Sequence, residues 1–251
     1  MDNFFEELEK PKTKDEILLE KKAKFYKPVD DALLKQSGFE LNKVYNADCL
    51  EIMRSMPDKC VDLVLTDPPY GLGISGQKEN IKNKKSDRKF HKDLKWDNQA
   101  PSKDVFNEIF RISKNQVIWG GNYFIDKLNK NTKGWIIWDK MQHGLTMSDC
   151  ELCFTSFDIP TRIWKMNRVI LQVEGETLHP TQKPVALFSW ILKNYAKPND
   201  IIFDPFAGSG TTAISCMQMD HPYILVEKEK DYYDIIMKRI NKKKKDLVAL
   251  F

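Results

Sequence analysis

Asp67-Pro68-Pro69-Tyr70 brings a carboxylate, two rigid peptide units and a phenol into one short turn. Two consecutive prolines fix φ and remove two backbone donors, leaving a stiff turn whose carbonyls are free acceptors. Asp67 adds a carboxylate acceptor, and Tyr70 adds an aromatic face. An exocyclic amine on a heterocycle is a poor nucleophile, because its lone pair is delocalised into the ring. A carboxylate and the Pro68 carbonyl, each accepting one N–H, would hold such an amine toward tetrahedral geometry while Tyr70 stacks on the ring. No metal and no covalent enzyme nucleophile is needed. The bland alternative is a Pro-Pro turn that caps a strand.

A second group lies far downstream. Residues 200–212, DIIFDPFAGSGTT, read as a strand, a tight glycine turn and a helix start. Gly208 and Gly210 allow close backbone approach to a ligand, and the helix beginning at Thr211 and Thr212 offers free N–H groups. Asp204, Phe206, Ala207 and Ser209 complete the candidate cradle. Glu227 ends the next strand, where nucleotide-binding units place a ribose-binding acid. Gly208-x-Gly210-x-x-Ala213 with Glu227 also fits a nicotinamide-dinucleotide fingerprint. Two features favour S-adenosylmethionine. Asp204 would repel a pyrophosphate yet could hold an ammonium, and only one helix follows Glu227, so the rest of the sheet must come from upstream. A tight turn with no ligand is the third reading.

These residues need a sheet to position them. Val61–Thr66 is a nearly continuous apolar run, as expected of a strand covered on both faces, and it feeds directly into Asp67. Further strands are expected at 44–48, 116–119, 134–138, 151–157, 162–166, 200–203 and 223–227. Helices are expected at 49–56, 104–113, 184–195, 211–219 and 230–244. That alternation predicts an α/β fold, a doubly wound, mostly parallel sheet. Residues 1–41 read as a charged helical arm, and 42–251 as the main domain. A polar loop containing the basic run 78–100 is too long for a simple connection.

Composition sets the bounds. The 251 residues are 41% apolar and 30% charged, ordinary for one globular domain. No run is long enough to span a membrane, and the acidic start has no signal-peptide pattern, so a cytoplasmic protein is expected. A net charge of +4 is compatible with nucleic acid without demanding it. Lys242–Lys245 reads as a solvated face. Five cysteines without framework spacing suit a reducing compartment. Cys150 and Cys153 lack the two further ligands of a structural zinc site and read as packing residues, so no metal is expected.

Taken together, the motifs resemble the amino-directed DNA methyltransferases, which act on adenine N6 or cytosine N4. Asp67–Tyr70 resembles their catalytic motif, and 204–212 their cofactor motif. The catalytic motif comes first, which resembles the circularly permuted β group. The resemblance covers residues 42–240 and implies a Rossmann-like sheet with a small target-recognition insertion at 141–178. It also implies S-adenosylmethionine as cofactor and a flipped-out base in double-stranded DNA as substrate. By the same resemblance Asp48 contacts the adenine amine of the cofactor, Glu227 its ribose, and Lys183 in 179–184 (HPTQKP) its carboxylate. Residues 119–124 and 135–140 resemble strands lining the base pocket. Asp at position 67 implies adenine N6 as the target, with cytosine N4 the alternative; RNA or protein methylation and a silent DNA-binding subunit are further alternatives. The basic loop would contact phosphates. The short recognition region implies a homodimer or a short site, and a restriction endonuclease is an expected functional partner.

Overall fold

The computed structural model describes residues 31–72, 99–128, 130–142, 144, 148–167 and 182–248. The expected arm up to residue 30, the basic loop up to residue 98 and residues 168–178 of the expected recognition region lie outside them.

Helix α1 (Ala32–Gln36) leads to β1 (Lys43–Tyr45), α2 (Cys49–Ser55) and β2 (Val61–Thr66). Then come α3 (Lys103–Ile112), β3 (Ser113–Trp119), a single 3-10 turn (Gly121–Tyr123), β4 (Trp135–Asp139), β5 (Cys150–Thr155) and β6 (Arg162–Lys165). The chain continues through α4 (Val185–Tyr195), β7 (Ile202–Asp204), α5 (Thr211–Met219), β8 (Tyr223–Val226) and α6 (Lys230–Val248).

The strands form one sheet in the order β1-β8-β7-β2-β3-β5-β4-β6. Pairings from β1 to β3 are parallel, as is β4 with β6, while β5 runs against both β3 and β4. Side chains alternate across the sheet. Leu63, Leu65, Val117 and Ile202 join one core layer with Leu187, Ile191, Ala213 and Ile236 from α4, α5 and α6. Val64, Ile118, Phe203 and Ile224 join the other with Met53, Phe106 and Ile109 from α2 and α3. Helix α3 shows why its sequence settles there. Its buried residues Val105, Phe106, Ile109 and Ile112 recur at helical spacing and present one apolar stripe to the sheet. The doubly wound α/β expectation therefore holds.

Two local differences from the sequence expectation have physical causes. Strand β1 stops at Tyr45, because the Asn46 amide donates to the Glu227 and Lys228 carbonyls and Asp48 turns away to cap α2, accepting from Leu50 N at 2.9 Å. Residues 119–124, expected to resemble a pocket-lining strand, are not strand beyond Trp119, because Gly120 adopts φ +69° and redirects the chain into the 3-10 turn.

Candidate active site

Strands β2 and β7 are parallel neighbours at the centre of the sheet, so the turns after them open at the same edge. This register brings together two motifs more than a hundred residues apart. Thr66, the last residue of β2, donates to Asp204 Oδ1 at 2.7 Å, and Asp67 follows immediately. Asp67 and the glycine turn line the same cavity of about 530 Å³.

Both oxygens of Asp67 have partners. The Tyr70 hydroxyl donates to Oδ1 at 2.7 Å, and the Lys183 ammonium donates to Oδ2 at 2.6 Å. Lys183 also reaches Glu151 Oε2 at 2.9 Å, and Glu151 Oε1 meets Lys140 Nζ at 2.8 Å. Each carboxylate oxygen retains a further lone pair for an incoming donor. The Tyr70 ring stacks on Tyr123 with centroids 4.8 Å apart and meets the edge of Phe124. Gly120 passes so close that a Cβ there would lie 2.2 Å from Tyr70 Cε1.

Burial dominates the electrostatics. It pushes the Asp67 carboxyl above the usual aspartate range, opposed by the ammonium of Lys183 and reinforced by the charge of Glu151. Burial also opposes ionisation of Glu151, but Lys183 and Lys140 outweigh it and hold that carboxyl at about 2. Burial would lower Lys183, yet its two carboxylate partners leave it above the ordinary lysine value. The Tyr70 phenol is pushed well up by burial and then by Asp67 and Glu151, so it remains a donor.

The opposite side of the cavity is built from the glycine turn, β8 and the start of α2. Gly208 and Gly210 have φ of +54° and +82°, and Gly210 rests against Ile236 of α6. Arg239 of α6 donates to the Ser209 carbonyl at 2.5 Å, which fixes the turn from behind. Glu227 accepts from Gly208 N and Glu229 N, both at 2.8 Å, and burial pushes its carboxyl up to about 7. Asp204 accepts from Thr66, from Thr212 at 2.5 Å and from Phe206 N at 3.0 Å, and burial pushes it up to about 6. Asp48 pairs with Lys228 at 3.1 Å; burial opposes its ionisation, but Lys228 and the Leu50 amide keep it below the usual value.

Every residue singled out in the sequence as catalytic lines this cavity, as do Asp48, Lys183, Asp204, Phe206, Ala207, Gly208, Ser209, Thr211, Thr212 and Glu227. Gly210 lies just behind the lining, as the left-handed N-cap of α5. Lys183 stands on the Asp67 side, held by two carboxylates. Glu151 was not foreseen. It is the one charged residue in the strand Cys150–Thr155, and a lone acid in an otherwise apolar run was the available signal. Cys150 and Cys153 are free thiols three positions apart on that strand and so point to opposite faces. Among the described residues no group of His, Cys, Asp and Glu is arranged to hold a metal, and no helix is long and apolar enough to cross a membrane.

The model of the N6/N4 family, described as DNA methylase, matches residues 81–238. The chain belongs to that family of DNA methyltransferases. It is 27% identical over 248 residues to the Type II methyltransferase M.HinfI of Haemophilus influenzae, covering 80% of this chain and 68% of the relative. Type II methyltransferase M.BglII of Bacillus subtilis is 27% identical over 258 residues, covering 78% and 68%. Among solved structures, the M1.HpyAVI–SAM complex superposes with a TM-score of 0.52 at 25% identity, covering 79% of this chain and 98% of that one.

Proposed function

We propose that the protein transfers the methyl group of S-adenosylmethionine to the N6 amine of an adenine flipped out of double-stranded DNA. The observation that carries this reading is the shared cavity, with the Asp67 carboxylate on one wall and the glycine turn and Glu227 on the other. The residues present fit the cofactor. Glu227 has both oxygens oriented by backbone amides and keeps lone pairs for the two hydroxyls of a ribose. Asp48 offers an acceptor to an adenine amine, and Leu50, Val105 and Phe206 supply apolar wall. The N-terminus of α5 and the free acceptor capacity of Asp204 suit the carboxylate and ammonium of a methionine end. M1.HpyAVI, a structural neighbour, is described in complex with SAM, which supports the assignment.

When bound, the cofactor supplies an electrophilic methyl on a sulfonium. The chain's own residues do the rest. Asp67 and the Pro68 carbonyl accept the two amine hydrogens, which turns the nitrogen lone pair toward the methyl donor. Tyr70 stacks on the base, and Pro69 stiffens the turn. The proton lost from the amine after transfer goes first toward Asp67, the nearest ionised acceptor. The motif order supports the circularly permuted β arrangement. The Type II relatives support a restriction–modification setting, with an endonuclease acting at the same site. Residues 141–178 are the proposed recognition region, too short for a separate domain, which favours a homodimer or a short recognition site, and the bacterial Type II relatives favour a cytoplasmic setting.

The test is to incubate the protein with labelled cofactor and duplex DNA and to analyse the nucleosides. N6-methyladenine is expected; N4-methylcytosine would refute the base assignment, and unlabelled DNA would refute the activity. Asp67→Ala should abolish transfer while calorimetry still detects cofactor binding.

A further inference from the structure

Four charges of alternating sign, Asp67, Lys183, Glu151 and Lys140, form a continuous chain along the inner wall of the site. They come from four different places in the fold: the end of β2, the segment before α4, the start of β5 and the residue after β4. The side chains of Lys183 and Lys140 are only 3% and 7% exposed. Burying two ammonium groups costs stability even when they are paired, and apolar replacements of such chains are often more stable. Stability therefore gives no reason for this arrangement, and perturbed charges beside a reactive carboxylate give a functional one. The division of labour is visible in the lining. Asp67 and Lys183 face the cavity, whereas Glu151 and Lys140 stand behind them.

We infer that Glu151, braced by Lys140, is a positioning residue that anchors the Lys183 ammonium against Asp67, so that Asp67 meets the target amine in a fixed orientation. The inference rests on Asp67 being the amine acceptor. The groups facing Asp67 are Tyr70 from its own turn, Lys183, Glu151 and Cys153 from β5, and Asp204 from β7. Of these Lys183 is the cation, and its geometry depends on the second carboxylate. Without Glu151 a flexible lysine stem has one anchor, and its ammonium is free to follow any other anion in the cavity, including a cofactor carboxylate.

Opposite charges on Lys183 and Glu151 give the test a signature that mere structural damage does not produce. Single-turnover methyl transfer to duplex DNA is followed between about pH 5 and 8 at saturating cofactor. Lys183→Met should move the acid limb of the profile up by about 1–3 pH units, and Lys183→Arg should leave the limb near that of the parent. Glu151→Gln should move the limb the other way, because a like charge is removed, while lowering the plateau about tenfold or more through loss of positioning. Glu151→Asp should recover part of that plateau. Thermal unfolding and cofactor calorimetry establish that each variant is folded. If Lys183→Met does not fold, the Glu151→Gln plateau and its partial recovery in Glu151→Asp decide alone, and an undiminished plateau in folded Glu151→Gln overturns the inference. Limbs that stay at the parent position overturn the inference, as does a Lys183→Met variant whose only defect is weaker cofactor binding. Both outcomes leave the Asp67 assignment intact if Asp67→Ala is inactive. Undiminished turnover in Asp67→Ala would instead refute the amine-acceptor reading itself.

Discussion

Two buried acids on the glycine-turn side of the cavity are held ready to ionise. Burial brings Glu227 to about 7 and Asp204 to about 6, from ordinary values of 4.5 and 3.8. Between the ordinary and the folded value, the folded protein keeps a proton that the unfolded chain has lost. The stability these groups contribute is therefore full below about pH 4 and declines as pH rises through their windows. Glu151 has the opposite sign: its value falls from 4.5 to about 2, so its contribution is present above pH 4.5 and is lost as pH drops toward 2. A ligand that donates hydroxyls to Glu227 favours the ionised form, so cofactor binding near pH 6.5 should release a fraction of a proton. Calorimetry in buffers of different ionisation enthalpy reads this directly, and Glu227→Gln should remove the component centred near pH 7. A binding enthalpy independent of buffer would refute the role given to Glu227. Residues of this kind were legible from sequence because their neighbours are close in the chain: Asp48 precedes the helix it caps, and Asp67 carries its own prolines and tyrosine. Lys140 and Glu151 were not legible, since each gains its partner only when β5 is inserted backwards between β3 and β4.

At the scale of elements, the turn after β3 decides where Tyr70 lies. Gly120 takes a left-handed φ and lets the backbone pass against the Tyr70 ring, while Tyr123 from the 3-10 turn stacks on it. Gly120→Ala places a methyl group inside the ring's contact distance and strains the backbone as well. The expected result is a loss of about 1–3 kcal/mol in denaturant unfolding. Turnover should fall at least tenfold through the displaced ring, with cofactor affinity close to that of the parent. Equal turnover would mean that Tyr70 is not held by this turn. The sequence anticipated most elements, because apolar periodicity is local. It did not anticipate the 3-10 turn within 119–124 or the early end of β1, where a positive φ and side-chain bonds outweigh strand propensity.

For the molecule as a whole, the sheet works as a meeting place for distant sequence. Among the described residues the first strand pairs with the last, Tyr45 opposite Val226, and Glu227 N donates to the Tyr45 carbonyl at 3.0 Å. Cofactor at a hundred times its Kd should stabilise the fold by about 2.7 kcal/mol. Hydrogen exchange should slow at residues 45–50, 206–212 and 226–229 together, and protection confined to one of these stretches would refute a shared pocket. The alternation of strands and helices made the fold class readable, whereas strand order is a tertiary outcome that no local pattern encodes. The β1–β8 pairing also bears on how the protein is made. Asp67 leaves the ribosome early, but the wall that includes Glu227 cannot close until β8 has followed. A nascent chain arrested before Tyr223 would therefore carry the complete Asp-Pro-Pro-Tyr turn and yet bind no cofactor, so methylation competence arrives only once β8 has been made.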